Sequence, residues 1–502
     1  MLKKNILANL LGNGVTAVVA LLCIPVYVHY LGVEAYGLIG IFASLQVIFS
    51  VLDMGLSATL NREFARLSVL EQGAVEQKNL LRTFEYIYGG IATGIGIIII
   101  LCAPVISRHW LSATVITPQT MQFALVQMGI LLALRWPTAL YAGGFNGLQK
   151  QVLYNMINTG SELIKAIGAI VVLAFVNNSI SSFFYWQIII TCGTLVVLHI
   201  ILWKSLPITS EKPSFSKALL VQNKAFATGI GATSLLVIIL TQADKIILSK
   251  LLDLTTFGYF TLASAIASSI FRIIFPVSQA VYPRLVQLVH SHKNAELIRT
   301  FHAACQFIAL AVVPISLLII FFSKEVVLIW TQDAVVTASV YPLLRILMIG
   351  SVCNALVTIP YMLQLAYGWT KLGLYQNLVA IILLIPSMIY LTNLYGANGA
   401  VWVWSILNAC YIIFSMPVMF ARYLSTEKWK WYLDDILKPV ASGVIIMFLA
   451  RLAYDFAAIS ATFPTLVFIA FSVFFCFFAI LYLAPDIKNT LFLLLKRRKK
   501  IV

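Results

Sequence analysis

Basic side chains inside long apolar stretches are the residues of this chain that point most directly to chemistry. Of 34 lysines and arginines, five lie inside such stretches: Arg135, Lys165, Lys245, Arg272 and Arg345. A charge at the centre of a bilayer costs about 3 kcal/mol on insertion scales, so a basic residue kept there usually faces protein or water. Because a guanidinium donates two hydrogen bonds to a phosphate at once, these arginines predict a site for an anion.

Four of the five basic residues are assigned to this anion site. They are Arg135, Arg272, Lys165 and Arg345. Pro137 follows Arg135 closely and can bend the helix by freeing a carbonyl. Lys245 lies near the end of its stretch and is interpreted as reaching the interface with its long side chain.

Acidic residues in the apolar stretches are candidates for binding a coupling cation, H⁺ or Na⁺. They are Asp53, Asp244 and Glu162. Glu162 and Lys165 share a helical face, so mutual neutralisation of the two remains an alternative. Glu85 is interpreted as a boundary residue. No catalytic residue, metal site or cofactor is predicted, since the chain has neither a CxxC pair nor a phosphate-binding P-loop.

The composition of the chain indicates which kind of secondary structure positions these side chains. The chain has 502 residues, is 61% apolar and only 10% charged, against about 45–50% and 25% for soluble domains. This excludes a soluble enzyme, a disordered chain, a nucleic-acid-binding domain and a disulfide scaffold. Continuous apolar runs of about 20 residues predict membrane-spanning helices rather than a β-barrel.

Fourteen spans are predicted, which makes the fold an all-α polytopic membrane protein. Their approximate limits are 6–29, 36–60, 84–107, 119–142, 155–176, 183–203, 224–249, 256–282, 301–322, 340–366, 372–392, 397–421, 438–457 and 464–484. The segment 61–83 is predicted to be an amphipathic surface helix.

The distribution of basic residues between alternate loops predicts the orientation. With a cytoplasmic N-terminus, inner segments and termini hold 25 lysines and arginines and outer loops hold 4. This asymmetry places both termini inside. No outer loop is long enough to hold a catalytic domain, so an enzyme is not expected.

A weak internal repeat recurs at an offset of 221 residues. Tyr36-Gly37 falls on Phe257-Gly258, and the pattern GxxKxxLY begins at both Gly147 and Gly368. Six helices per copy give both copies one orientation, which predicts two lobes about an axis along the membrane normal with a cavity between them. The four basic site residues have no basic counterpart at this offset, so we interpret them as a cationic lining of that cavity.

The resulting organisation has four parts. Residues 1–203 form an N-terminal lobe, 204–223 a cytoplasmic linker, 224–423 a C-terminal lobe, and 424–502 two further helices with a basic cytoplasmic tail.

Short motifs near the N-terminus resemble a known family. Asn9-Leu-Leu-Gly12 leading to Pro25, then Tyr30-Leu-Gly-Val-Glu-Ala-Tyr36-Gly37, is similar to the opening of Wzx-type polysaccharide transporters. Asp53-Met-Gly55-Leu resembles their pattern too. These O-antigen flippases belong to the multidrug/oligosaccharidyl-lipid/polysaccharide exporter superfamily.

The resemblance implies a bacterial inner-membrane flippase without enzymatic activity. It would carry an undecaprenyl-pyrophosphate-linked oligosaccharide from the inner to the outer leaflet by alternating access, with the cationic residues receiving the pyrophosphate. The implied partners are this lipid-linked oligosaccharide, bilayer lipids, a polysaccharide polymerase and a chain-length regulator, with no nucleic acid, and the expected state is a monomer.

Three other functions remain open. A lipid II flippase for peptidoglycan would also have fourteen helices and a cationic cavity. A multidrug cation antiporter of the same superfamily would need an acidic, aromatic cavity, which the basic excess disfavours. A membrane-embedded glycan polymerase or ligase would need a large outer loop.

Overall fold

A computed structural model describes most of the chain. The described residues are 2–53, 55–68, 70, 73–209, 211–219, 238, 241–459 and 461–486, with backbone alone for 2–11 and 13. The first part of the predicted span 224–249, part of the linker 204–223 and the basic tail 487–502 lie outside them.

The described residues form helices and no strand. In chain order the longer helices are α1 (Leu2–Leu31), α2 (Val33–Phe49), α3 (Leu56–Leu67), α4 (Gly73–Val105), α5 (Pro118–Arg135), α6 (Thr138–Gly147), α7 (Gln151–Phe175), α8 (Ile180–Ser205), α9 (Leu254–Ser268), α10 (Phe271–His290), α11 (Asn294–Phe321), α12 (Ser323–Thr331), α13 (Ala334–Ala366), α14 (Thr370–Tyr395), α15 (Ala397–Cys410), α16 (Met416–Tyr423), α17 (Lys438–Phe456) and α18 (Thr462–Leu483). A further helical segment covers 241–251.

Thirteen helical stretches of the described residues are long and apolar enough to cross a membrane. They match thirteen of the fourteen predicted spans, and the remaining one begins in residues outside the description. The predicted fold class is therefore confirmed: the chain is an all-α, multi-pass membrane protein.

α18 shows how such a sequence packs. Ile469, Cys476 and Ile480 recur at helical spacing and are buried. Phe471 and Phe475, on the other side, are more than half exposed. Apolar residues on both faces suit a helix with one side on protein and the other on lipid.

The chain divides into two compact units, Met1–Gly258 and Tyr259–Val502. In the second unit, α17 and α18 pack on α11 through an apolar cluster that includes Leu317, Met447 and Cys476. The four-part organisation given by the sequence stays a prediction.

Span 2 ends earlier than predicted, at Asp53 instead of residue 60. α2 ends at Phe49, a 3-10 turn covers Ser50–Asp53, and Gly55 has a φ of 74° before α3 begins. Only glycine adopts that left-handed conformation without strain, so it ends one helix and allows the next to start in another direction.

The amphipathic helix predicted over 61–83 is present as α3, but it is shorter and begins earlier. α3 and α4 divide this segment, and α4 already begins at Gly73. A Cβ on Gly73 would lie 2.1 Å from the Leu67 carbonyl oxygen, so the connection between the two helices is too tight for any side chain there.

The two GxxK junctions fold alike. Gln149 (φ 56°) and Gly368 (φ 73°) each follow a helix in the left-handed conformation. The amides of Lys150 and Trp369 each bond a carbonyl five residues earlier. These turns match at an offset of 219 (368 minus 149), two residues from the offset of the sequence motif.

Candidate functional site

Arg135, Glu162 and Lys165 form a cluster within the first unit, which we call the basic cluster. Arg135 Nη2 lies 3.3 Å from Glu162 Oε1, and Lys165 Nζ lies 3.1 Å from the same oxygen. Lys165 is 5% exposed. The pairing of Glu162 with Lys165 that the sequence left open is present, but Arg135 shares the carboxylate.

The basic cluster is completed by an amide. With the Gln46 side chain in the orientation that pairs donors with acceptors, its oxygen accepts from Nη1 and Nε of Arg135 at 3.1 Å each. Gln46 lies on α2, Arg135 ends α5, and the other two residues lie on α7. Three helices therefore contribute to one polar site.

Arg135 lies at a broken helix, as Pro137 predicted. α5 ends at Arg135, and α6 begins after Pro137. The Trp136 indole donates to the Phe49 carbonyl at 3.1 Å, at the end of α2. An interrupted span and the end of span 2 thus meet beside the basic cluster. Interrupted helices mark substrate and ion sites in many transporters, because they expose backbone polar groups within the membrane.

The charge of the basic cluster is unbalanced. Two cations share one carboxylate, which leaves one net positive charge if all three groups are ionised. Arg135 and Glu162 keep 36% and 29% of their side chains exposed, so the cluster is accessible. An accessible excess of positive charge with guanidinium donors suits an anion such as a phosphate.

Asp53 is held by its neighbours rather than free within a helix. Its carboxylate accepts from the Ser57 hydroxyl at 2.8 Å and the Ser57 amide at 3.3 Å. The Tyr88 hydroxyl also donates to it. These bonds tie the end of span 2 to α3 and α4, so a cation binding here would compete with them.

Asp244 has a simpler environment. Its Oδ1 accepts from the backbone amide of Lys245 at 2.8 Å. The Lys245 ammonium donates a hydrogen bond to Gln242 Oε1 at 3.4 Å.

Arg272 and Arg345 belong to the second unit. Arg272 is exposed and lies just after the break between α9 and α10. Arg345 is exposed on α13, with its guanidinium 5.9 Å from the centre of the Tyr341 ring. The convergence of all four basic residues on one cavity stays a prediction.

Glu85 is the charged residue whose role the sequence missed. It lies in the fourth turn of α4, and its side chain is only 12% exposed, so the interpretation as a boundary residue is wrong. Its Oε1 accepts from Tyr141 (3.1 Å), His199 (2.9 Å) and Trp203 (2.8 Å). Arg82 donates to Oε2 at 3.3 Å. The spacings Arg82/Glu85 and His199/Trp203 on two helices were the available signal.

A second missed network anchors the C-terminal helices. The fully buried His302 lies between Asp435 (Nδ1 to Oδ2, 2.5 Å) and Glu427 (Nε2 to Oε2, 3.1 Å). The Gln306 amide donates to both Asp435 and Asp486 at 3.0 Å. Because these side chains bond one another, we interpret the network as stabilising the fold and not as a binding site.

Within the described residues, no group of three or more His, Cys, Asp or Glu side chains could hold a metal ion.

Two family models match the chain. The model of a family described as "Polysaccharide biosynthesis protein" matches residues 2–289, and one described as "MatE" matches 230–390. The first match contains the whole basic cluster. The chain is similar to a putative O-antigen transporter of Shigella flexneri, at 20% identity over 407 residues that cover 80% of this chain and 94% of that protein.

Two solved structures share the fold. The lipid II flippase MurJ in an inward closed conformation has a TM-score of 0.73 at 14% identity, over 96% of this chain and 99% of the other. An inward-facing MATE multidrug transporter of the MOP superfamily has a TM-score of 0.65 at 12% identity, over 81% and 95%. These likenesses describe the architecture.

Proposed function

Since the chain belongs to the polysaccharide biosynthesis protein family, we propose that it is a flippase for a lipid-linked surface-glycan precursor. Its substrate would be an undecaprenyl-pyrophosphate-linked oligosaccharide, such as an O-antigen repeat unit, moved from the inner to the outer leaflet by alternating access. The observation that carries this proposal is the excess positive charge of the basic cluster beside the broken helix at Arg135. The similarity to a putative O-antigen transporter supports the substrate class.

The pyrophosphate is the group that the basic cluster would receive. Arg135 supplies a planar fork of donors and Lys165 a compact charge, while Glu162 and Gln46 hold the guanidinium in place. Arg272 and Arg345 would contact the same headgroup or acidic sugars during the transport cycle.

The membrane potential would favour this direction of transport. The loop charges support a bacterial plasma-membrane location with both termini in the cytoplasm. Moving a negative charge outward from an interior that is negative gains about 2.3 kcal/mol per charge per 100 mV. Exchange of H⁺ or Na⁺ at Asp53, Asp244 or Glu162 would add to this drive. A polymerase and a chain-length regulator would act on the exported unit.

The direct test is complementation of a strain that lacks this gene, with surface polysaccharide as the readout. Arg135→Ala removes the excess charge while the Lys165–Glu162 pair remains, so the protein should still reach the membrane but export should fall at least tenfold. Lys324→Ala is the control, since Lys324 is exposed and outside the cluster. Wild-type export by Arg135→Ala, at equal membrane abundance, would refute the role of the cluster.

Lipid II is the competing substrate, favoured by the likeness to the MurJ structure over nearly the whole chain. Rescue of cells depleted of their lipid II flippase would establish it. Rescue of surface-polysaccharide export alone would support the proposal above.

A further inference from the structure

An apolar groove runs between α14 and the α15–α16 segment in the second unit. Its volume is about 620 Å³, within the range of roughly 300–1,000 Å³ that is usual for small-molecule sites. Val379 and Leu383 line one wall, and Ile406 and Phe414 line the other. The groove lies in helices that are apolar and long enough to cross a membrane, so a hydrocarbon chain is the ligand that its walls suit.

Irregularities in both helices shape the walls. α14 carries Pro386 in its interior, where proline removes a backbone hydrogen bond and bends the helix. Opposite it, residues Tyr411–Ser415 form a π-helical turn between α15 and α16. Such turns are rare and occur frequently at functional sites. Tyr411, Phe414 and Ser415 from this turn line the groove.

One polar group in the wall has no partner. Gln376 lines the groove, and its buried side-chain nitrogen has no hydrogen-bond partner in the structure. An unsatisfied buried donor costs about 1–3 kcal/mol, which an acceptor oxygen on a ligand would recover. Gln376 lies in the second turn of α14, so this acceptor would lie near one end of the groove.

Cationic side chains mark that same end. The turn at Gly396 joins α14 to the α15–α16 segment. Lys371 lies 25 residues before this turn and Arg422 lies 26 residues after it, so both lie at the end of the groove away from the turn. Both are exposed, and the described part of the chain provides neither with an ion pair. The Arg422 guanidinium lies 4.4 Å from the centre of the Trp369 ring, which orients it.

An apolar length with a cationic end complements a lipid that has an anionic head and a long chain. We propose that this groove binds the polyprenyl chain of the lipid-linked substrate, with its phosphate oxygens at Gln376, Lys371 and Arg422 before the headgroup reaches the basic cluster. The proposal rests on the function proposed above. A chain held in this groove would stay beside the protein while the attached headgroup moves through it.

The experiment measures binding of a long-chain polyprenyl diphosphate without sugars to the full-length protein in nanodiscs. Leu383→Trp with Ile406→Trp fills the groove, and both positions are more than half exposed, so the fold should tolerate the change. We expect at least a tenfold rise in Kd for this variant and for Arg422→Ala. Phe475→Trp, at a residue 61% exposed on α18, is the control and should bind as the wild type does.

Competition with other lipids tests whether the groove is specific for a polyprenyl diphosphate. A phosphatidylglycerol that displaces the probe at equal concentration, or an uncharged polyprenol that binds equally well, would overturn the proposal. Unchanged binding by the filled-groove variant would do the same.

Export assays separate this proposal from the proposed function. If Arg135→Ala stops export but the filled-groove variant binds the probe and exports normally, the groove proposal fails and the function stands. If the wild-type protein exports no polysaccharide yet the groove variants lose probe binding, the function fails and the lipid site stands.

Discussion

Gly37 and Gly258 lie at the crossing of α2 and α9, each against the backbone of the other helix. A Cβ on Gly37 would lie 2.7 Å from the Leu254 carbonyl oxygen, and a Cβ on Gly258 would lie 2.4 Å from the Val33 carbonyl oxygen. Val33 and Gly37 are each 221 residues before Leu254 and Gly258, which is the offset of the sequence repeat. The contact is therefore reciprocal, and it joins positions that the sequence repeat relates.

Alanine at Gly37 or Gly258 should destabilise the protein, because the added methyl group clashes with a backbone carbonyl that cannot move without shifting its helix. We expect a loss of about 1–3 kcal/mol for each variant, seen as a lower thermal midpoint in detergent. Gly94→Ala is the control, since a Cβ there meets nothing within 4 Å. Equal midpoints for all three variants would contradict the close crossing.

Glu162→Gln should separate the stabilising role of this carboxylate from anion binding. Lys165 is 5% exposed and loses its counter-charge in this variant. A broken buried pair costs about 3–5 kcal/mol, and less here because Glu162 is partly exposed. The thermal midpoint should fall while affinity for a polyprenyl diphosphate rises, since the net charge of the basic cluster increases.

The double variant Glu162→Gln with Lys165→Met provides the control for that prediction. It should recover much of the thermal midpoint, because no buried lysine is left unpaired. A loss of diphosphate affinity in the single variant would instead assign Glu162 to the binding of the substrate or a cation.

Glu85 substitutions should lower stability in proportion to the hydrogen bonds lost. Glu85→Ala leaves the donors of Tyr141, His199 and Trp203 without their acceptor, whereas Glu85→Gln keeps one oxygen for them. Hydrogen bonds to a charged group contribute about 1.5–3 kcal/mol each. Thermal midpoints should therefore rank wild type above Gln and Gln above Ala.

The matched control for Glu85 is Glu76→Ala on the same helix. The Glu76 side chain is 54% exposed and lies 4.0 Å from Arg66, so its removal should change the midpoint little. Equal effects of Glu85→Ala and Glu76→Ala would show that the network around Glu85 is not stabilising.

His302→Phe should loosen the attachment of the C-terminal helices, because the buried Asp435 carboxylate keeps Gln306 but loses its histidine partner. The readout is thiol labelling of Cys476, which is fully buried in the cluster between α11, α17 and α18. In a variant whose only cysteine is Cys476, labelling should accelerate at least tenfold. His290→Ala, at an exposed histidine, should leave the rate unchanged; acceleration by both substitutions would argue against a specific anchor.

The sequence alone predicted the membrane-spanning helices, because lipid requires each span to be long, apolar and internally hydrogen-bonded. It also predicted features that depend on neighbours along the chain. Pro137 indicated the break beside Arg135, and the spacing of Glu162 and Lys165 on one helix indicated their pairing.

Only the tertiary structure decided which distant residues meet. Gln46 reaches Arg135 from another span, Glu85 accepts from His199 across 114 positions, and His302 pairs with Asp435 across 133. Helical periodicity tells which face of a helix a residue occupies, but the partner of that face depends on how the helices pack. For this reason the sequence identified the basic residues of the cluster, while the contacts that hold them, and the network around Glu85, emerged from the fold.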